Sequence, residues 1–352
     1  MAVGVALAVV GGGWVVGWIL FARAPALRTV AIAEPHAAVD VVIAARDEEV
    51  RLPRLLAALS RQSYLAQRVI VVDDGSADRT AELAHAAHAT VVAPGPAPVG
   101  DTATGWARRQ GAAAASGSVL VFLDPGTEPG PEFLRRAVAE QLRLGGLLSI
   151  RPYRRTHGIR DRLGAVGDLV TVMAVGGVDA RRAGGRATGA FAACMVCDRS
   201  DYVAVMGNVE LRSIPGAPAL ANRFAAAGRT LHARLGRGSI ESHARADADR
   251  VRLHERARDP RAGLRSTPTS RRIGIACWCA TSALAAVLAV TGAVGWVLGG
   301  ALYAASVVQV GLLARRIGDY GWPTALLYPL PLLALAAAMV WSWFPAGVTR
   351  SP

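Results

Sequence analysis

Two apolar runs in this chain end abruptly in carboxylates. Val69-Ile70-Val71-Val72 stops at Asp73-Asp74-Gly75-Ser76, and Val119-Leu120-Val121-Phe122-Leu123 stops at Asp124. A short β-branched or apolar run of this kind reads as a buried strand of a parallel sheet. Carboxylates at its end accept hydrogen bonds from hydroxyl and N–H groups and ligate divalent cations. Open α/β sheets bind ligands outside the carboxyl ends of their strands, so these tips mark where a nucleotide would sit. Taken alone, Asp73-Asp74-Gly75-Ser76 also reads as an ordinary solvated turn between a strand and a helix.

The elements that must position these groups alternate in type. Val39–Ala44 reads as a strand and Leu52–Leu59 as a helix with Pro53 near its start. Strands over Val69–Val72, Thr90–Val92 and Val119–Leu123 then alternate with helices over Thr80–His88, Trp106–Ala115 and Pro131–Leu142. This β-α-β-α order predicts a parallel sheet with right-handed crossovers over residues 39–150, the half expected to bind the ligand. Beyond Arg151 the pattern weakens. Residues 151–246 are expected to form a second half, and residues 247–272 a charged linker. Leu163–Val175 is mainly apolar around a single acid, Asp168. It reads as a core helix, or as a helix in a membrane interface behind Arg151, Arg154, Arg155, Arg160 and Arg162.

The 352 residues leave room for one large or two modest domains. A hydrophobic content of 52% and a mean hydropathy of +0.32 exceed what a wholly soluble chain needs. The excess lies at the two ends. Ala2–Phe21 is uncharged and long enough to cross a bilayer. Arg23 and Arg28 follow it and only Met1 precedes it, which favours an uncleaved helix over residues 1–22 with its amino end outside, then a linker over 23–38. Ile273–Ala314 carries no charge and suits two spans turning near Thr291-Gly292; Trp322–Phe344 supplies a third, with Trp341 and Trp343 as interface anchors. Residues 273–345 are thus expected to hold three helices. Arg271-Arg272 and Arg315-Arg316 fall on the same side as Arg23, which puts the α/β part in the cytoplasm. The net charge is +13 and every basic residue is arginine. A basic face on anionic lipid fits that balance. Nucleic acid does not, because aromatics are only 6% and no basic helix is interleaved with stacking residues. Cys194 and Cys197 form a C-x-x-C with no second pair to complete a zinc site, so they read as small apolar thiols on a buried strand.

Four segments now stand in order: Ala45-Arg46-Asp47-Glu48-Glu49, Val72-Asp73-Asp74-Gly75-Ser76-Ala77-Asp78-Arg79-Thr80, Gln110-Gly111-Ala112, and Phe122-Leu123-Asp124-Pro125-Gly126-Thr127. In these the chain resembles the family 2 glycosyltransferases of GT-A fold. Through Gly146–Tyr153 and the placing of its apolar segments it is similar to the membrane-bound bacterial branch related to diaponeurosporenoate glycosyltransferase. The resemblance implies a nucleotide-diphosphate sugar as donor, UDP rather than GDP, and a lipid or isoprenoid acceptor at the cytoplasmic face of a bacterial cell membrane. It implies nucleotide-sugar-binding roles for Arg46, Glu48, Asp73, Asp74 and Asp124. Asp124 matches the first acid of the family's D-x-D, where carboxylates hold Mg²⁺ or Mn²⁺ against the leaving diphosphate. Glu48 and Glu49 also suit a helix N-terminus as charges that complement its dipole.

The departures from the family pattern bear on chemistry. Gly126 stands where the family has its second acid, and one carboxylate holds a cation less well than two unless Glu128, water or the diphosphate compensates. Ala103-Thr104 replaces a Gly-Lys and so removes a positive charge. The acid that serves as acceptor base in this branch would fall near Gly216, within Ile214-Pro215-Gly216-Ala217, where no carboxylate stands. No tryptophan occurs in His254–Arg261, where the branch carries one. Deprotonating the acceptor typically contributes ~100- to 10,000-fold. The candidates for that base are Glu210, Asp198 and Asp201, with Glu241 and His243 behind them. The expected protein is therefore a membrane-bound, hexosyltransferase-type enzyme. The alternative is an impaired relative that binds nucleotide sugar or a partner enzyme without turnover.

Overall fold

In the computed structural model, residues 2–21, 25–27, 36–99, 101–176, 187–207, 216–243, 267–333 and 335 are described. The chain opens with α1 (Ala2–Phe21), then β1 (Val39–Ala45), α2 (Leu52–Ser60), β2 (Arg68–Asp73), α3 (Thr80–Ala86), β3 (Thr90–Val92), α4 (Ala103–Ala114) and β4 (Val119–Leu123). There follow β5 (Thr127–Pro129), α5 (Phe133–Leu144), β6 (Leu147–Arg151), β7 (Tyr153–Arg155), α6 (Ile159–Leu163), α7 (Ala165–Val175), β8 (Cys194–Asp198), α8 (Arg199–Gly207), α9 (Gly216–Ala226), β9 (Leu231–Leu235) and β10 (Ile240–His243). Three helices close the described part: α10 (Thr269–Thr291), α11 (Trp296–Ala314) and α12 (Trp322–Leu326).

Seven strands form one sheet in the order β3-β2-β1-β4-β8-β6-β9. The first four run parallel, as the alternation of strands and helices predicts. The sheet as a whole is mixed, because β8 lies antiparallel between β4 and β6. A short strand buried on both faces has no residue pattern that records its direction, so this reversal is invisible in Cys194-Met195-Val196-Cys197. The half expected from residues 151–246 adds β8 and β9 to the same sheet. A second, small sheet has the order β5-β10-β7.

Strand alternation sends side chains to two cores. Val41, Ile43, Val71, Val121 and Leu123 pack in a cluster with Leu52 and Leu55 of α2 and Phe133 and Leu134 of α5. Val42, Ile70, Val72, Leu120 and Phe122 belong to a second cluster that runs without a break through α7 to Phe21 and Trp278 of the apolar helices and to Tyr320 and Tyr328 on either side of α12. Helix α4 lies very close on that face. Thr102 caps it by accepting from the Gly105 N–H at 3.1 Å, and a Cβ on Gly111 would fall 2.4 Å from Val42 Cγ1.

Val3–Phe21, Thr269–Thr291 and Trp296–Ala314 are long and apolar enough to cross a membrane. The turn between the last two falls at Gly292 and Gly295, both at positive φ, as expected from Thr291-Gly292. The single long helix expected from Trp322 is interrupted: α12 ends at Leu326 and a turn at residues 327–328 precedes Pro329. A proline lacks the N–H that the helix needs and restricts the residue before it. Trp341, Trp343, Arg23, Arg28 and residues 244–266, which include most of the expected charged linker, lie outside the described residues.

Helix α7 is a core helix, not an interfacial one. Of its residues only Thr171 is exposed, and Asp168 is buried. Asp168 pairs with Arg151 at 2.9 Å and Arg154 at 3.6 Å and accepts from the Tyr320 hydroxyl, while Arg154 also faces Asp161 at 3.5 Å. Burial by itself would raise the Asp168 carboxyl; the two guanidinium charges and the hydroxyl outweigh it and hold the group below the usual carboxylate range. Backbone bonds tie the same junction: the Arg154 N–H donates to Ile317 O at 2.9 Å, and the Asp319 N–H to Arg154 O at 3.0 Å. Beyond α1, Ala26 bridges to Leu235, with the Leu27 N–H on Leu235 O at 3.1 Å, so this segment covers the outer edge of β9.

Candidate functional site

Strand β1 lies between β2 and β4 and is parallel to both, with Ala45 opposite Asp73 and Ile43 opposite Leu123. The three strands therefore end at one edge. Arg46–Glu49, Asp73–Ser76 and Asp124 come together there, as the sequence predicts from the strand ends.

The two loops beside this edge are laced to each other. Asp47 takes φ +52°, a conformation that Asp tolerates better than most residues, and Gly75 takes φ +71°. The Asp47 N–H donates to Ser76 Oγ at 3.0 Å, and the Ala77 N–H returns to Asp47 Oδ1 at 2.8 Å. The Glu48 N–H donates to Thr80 Oγ1 at 2.7 Å and the Glu49 N–H to Asp78 Oδ2 at 3.0 Å. Burial would raise the Asp78 carboxyl, but the Thr80 hydroxyl and the N–H groups of Glu49 and Thr80 hold it below its ordinary value. Asp47, Asp78 and Thr80 thus shape the rim without any carboxylate being left open by them.

Each predicted donor-binding carboxylate has an internal partner. Asp74 faces Arg46 at 3.8 Å near the surface. Asp73 Oδ1 accepts from the Ser76 N–H at 3.2 Å and from its hydroxyl. Glu48 is held by Arg51, whose Nε donates to Oε2 at 2.6 Å and whose Nη2 donates to Oε1. Asp124 Oδ1 accepts from Arg108 Nη2 at 3.0 Å, and the same nitrogen donates to Ala192 O at 2.8 Å. Gly126 faces Arg51: a Cβ at this position would stand 2.7 Å from Arg51 Nη1. Arg51 and Arg108 escape a reading of the sequence. Arg51 follows Glu48 at the i,i+3 spacing that marks a helical ion pair, a signal available but weak. Sixteen residues and a crossover separate Arg108 from Asp124, and no local pattern joins them.

This donor set does not fit a divalent-cation site. Asp124 is neutralised by Arg108, and the position of the second acid opens onto a guanidinium. Among the described residues no three His, Cys, Asp or Glu side chains cluster for a metal. Glu128, the possible compensating acid, faces His243, with Nε2 and Oε2 at 3.1 Å. The Cys194 and Cys197 thiols are buried and pushed upward by desolvation, which keeps them neutral and apolar.

The expected bases divide sharply. Strand β8 enters at the site edge, with Cys194 opposite Leu123, and leaves at the far edge, with Asp198 opposite Val119. Four residue steps of strand, ~13 Å, therefore separate Asp198 from the tips. Asp198 caps α8, accepting from the Ser200 N–H at 2.7 Å, and Asp201 pairs with Arg229 at 2.8 Å. Both are structural, and their candidacy is corrected: the antiparallel run of β8 carries its C-terminal acid away from the site edge. Glu241 is bound by Arg155 at 2.6 and 2.7 Å. His243 alone touches the Asp124 loop, through its N–H on Gly126 O at 3.0 Å. Glu210 lies outside the described residues.

The sequence profile of Glycosyl transferase family 2 matches residues 40–162. A 4,4'-diaponeurosporenoate glycosyltransferase of Staphylococcus haemolyticus (strain JCSC1435) is 33% identical over 180 residues, 50% of this chain and 48% of the relative. The protein of the same name from Staphylococcus aureus (strain N315) is 31% identical over 204 residues, 54% of this chain and 52% of the relative. The chain spans about half the length of the curated relatives it matches. A solved mannosyltransferase from Pyrobaculum calidifontis, in complex with GDP-Man and Mn²⁺, superposes with a TM-score of 0.55 at 15% identity, covering 97% of this chain and 99% of that one. The fold is the GT-A type.

Proposed function

From a chain whose residues 40–162 carry the family 2 glycosyltransferase pattern on a GT-A fold, we propose a membrane-bound glycosyltransferase. It moves a sugar from a nucleotide-diphosphate sugar to a lipid or isoprenoid acceptor at the cytoplasmic face of the cell membrane. The observation that carries this reading is the convergence of Arg46, Glu48, Asp73, Asp74 and Asp124 on the carboxyl edge of β1, β2 and β4. The sheet core continues through α7 into the apolar helices, three of which are long enough to cross a membrane, and this supports an acceptor held in the lipid. UDP-sugars lead as donors only by the family resemblance read from the sequence.

In this reading the half-buried Asp74 accepts hydrogen bonds from the nucleoside and the exposed Arg46 donates to it, and the laced loops fix them in place. The acceptor hydroxyl attacks the sugar carbon as the diphosphate departs, and a base takes the hydroxyl proton. His243, oriented by Glu128 beside the Asp124 loop, is the group we assign to that proton. The Mn²⁺ of the mannosyltransferase has no matching donor set here, and no step is drawn through a cation.

The test uses the full chain in lipid nanodiscs with radiolabelled UDP-glucose, UDP-N-acetylglucosamine or GDP-mannose and isoprenoid acids or alcohols. Label moving into the organic phase is the expected result, and its loss in His243→Ala with nucleotide binding retained supports the base. Nucleotide binding with no transfer from any donor favours the second reading, a binding protein without turnover. One observation speaks for that reading: the carboxylates of the site already have internal partners. Absence of both binding and transfer overturns the proposal.

A further inference from the structure

We infer that Arg51 and Arg108 supply the positive charge for the donor's diphosphate at this edge, in place of a divalent cation. This rests on the donor site proposed above. A diphosphate approaching the edge that carries Asp73, Asp74, Glu48 and Asp124 meets repulsion unless cationic groups face it. Both arginines stand where those groups are needed. Their side chains are 10% and 9% exposed, so neither is a solvated surface charge.

Their hydrogen bonds hold each guanidinium in place and leave part of it unused. Glu48 takes Nε and Nη2 of Arg51 side-on, which fixes the plane and directs Nη1 toward Gly126. Among the described residues Nη1 has no hydrogen-bond partner. Asp124 and Ala192 share Nη2 of Arg108, and its Nε and Nη1 likewise have none among the described residues. A guanidinium is planar and always charged, and its fork matches phosphate oxygens.

The glycine belongs to the same device. A carboxylate at residue 126 would stem from a Cβ 2.7 Å from Arg51 Nη1 and would capture that group. Two carboxylates around one divalent ion sum to zero charge. Glu48 and Asp124 with Arg51 and Arg108 also sum to zero (−2 and +2), with the cationic charge now carried by the protein.

The test is calorimetric titration of the detergent-solubilised full chain with UDP and with uridine, in EDTA and in Mn²⁺. UDP is expected to bind in EDTA with an affinity within about threefold of that in Mn²⁺. Arg51→Gln, and Glu48→Gln with Arg51→Gln to remove the pair as a unit, should each weaken UDP ~10- to 100-fold while uridine holds. Asp124→Asn, which frees Arg108, should keep or tighten UDP binding in EDTA. The inference is overturned if UDP binds only with Mn²⁺, if Asp124→Asn abolishes UDP binding while uridine still binds, or if the Arg51 variants leave the UDP-to-uridine ratio unchanged. Should an Arg51 variant fail to fold, the EDTA and Asp124→Asn arms decide the question. No binding of uridine, UDP, guanosine or GDP under any condition would instead sink the donor site itself.

Discussion

Two regions of this molecule are built from the same residue types and differ in where their spare donors lie. At the junction under the apolar helices, Asp168 meets Arg151, Arg154 and the Tyr320 hydroxyl, and Asp161 takes a share of Arg154. At the tips of β1, β2 and β4, Glu48, Asp74 and Asp124 each face one arginine while Asp73 is held by Ser76, and Arg51 Nη1 is turned toward Gly126. The first arrangement is enclosed, with Arg151 Nε buried and unbonded, and it joins two parts of the fold. The second is matched in charge yet keeps donors for a visitor. An arginine–carboxylate pair is thus a poor guide to function until its unused donors are located.

The largest way to break this contrast is Asp168→Ala. It strands the buried Arg151 guanidinium, takes one partner from Arg154 and should cost about 3–5 kcal/mol of stability, read by denaturant unfolding in detergent. A loss no bigger than that of Asp74→Ala at the exposed tip would erase the distinction. Gly111→Ala comes next. Its Cβ would press on Val42 Cγ1 and drive α4 off the sheet, at about 1–3 kcal/mol. Acid sharpens the comparison further. The folded Asp168 carboxyl sits below its unfolded value of 3.8, so its contribution is complete above that pH and disappears as pH falls through the lower folded value. Thermal midpoints between pH about 5 and 3 should drop, and Asp168→Asn should flatten that slope. Smallest in stability is Gly126→Ala, at ~0.5 kcal/mol or less, because its Cβ meets only the movable end of Arg51. Its UDP affinity should fall nonetheless, since the guanidinium is pushed aside.

What could be read beforehand follows a physical divide. Val69–Asp74 and Val119–Asp124 announce themselves because a buried strand and its tip are contiguous in the chain. Thr80 and Gly111 sit in segments whose spacing marks a βα unit. Partnerships across the fold leave no such trace: Arg108 with Asp124, and Tyr320 with Asp168, are joined only by folding. The direction of β8 is likewise unwritten, so nothing in the sequence tells that Asp198 and Asp201 lie away from the tips. Pro329 and Pro331 did carry a signal, and the expectation of one continuous helix from Trp322 underweighted it.

The unbroken apolar cluster from Ile70 and Phe122 to Phe21 and Trp278 decides how the protein can be handled. Cutting away the hydrophobic ends would not liberate a well-behaved water-soluble catalytic fragment. It would strip one side of the sheet bare, uncover the β9 edge that Ala26 seals, and yield inclusion bodies; production must keep both ends and a surfactant from the first step of lysis.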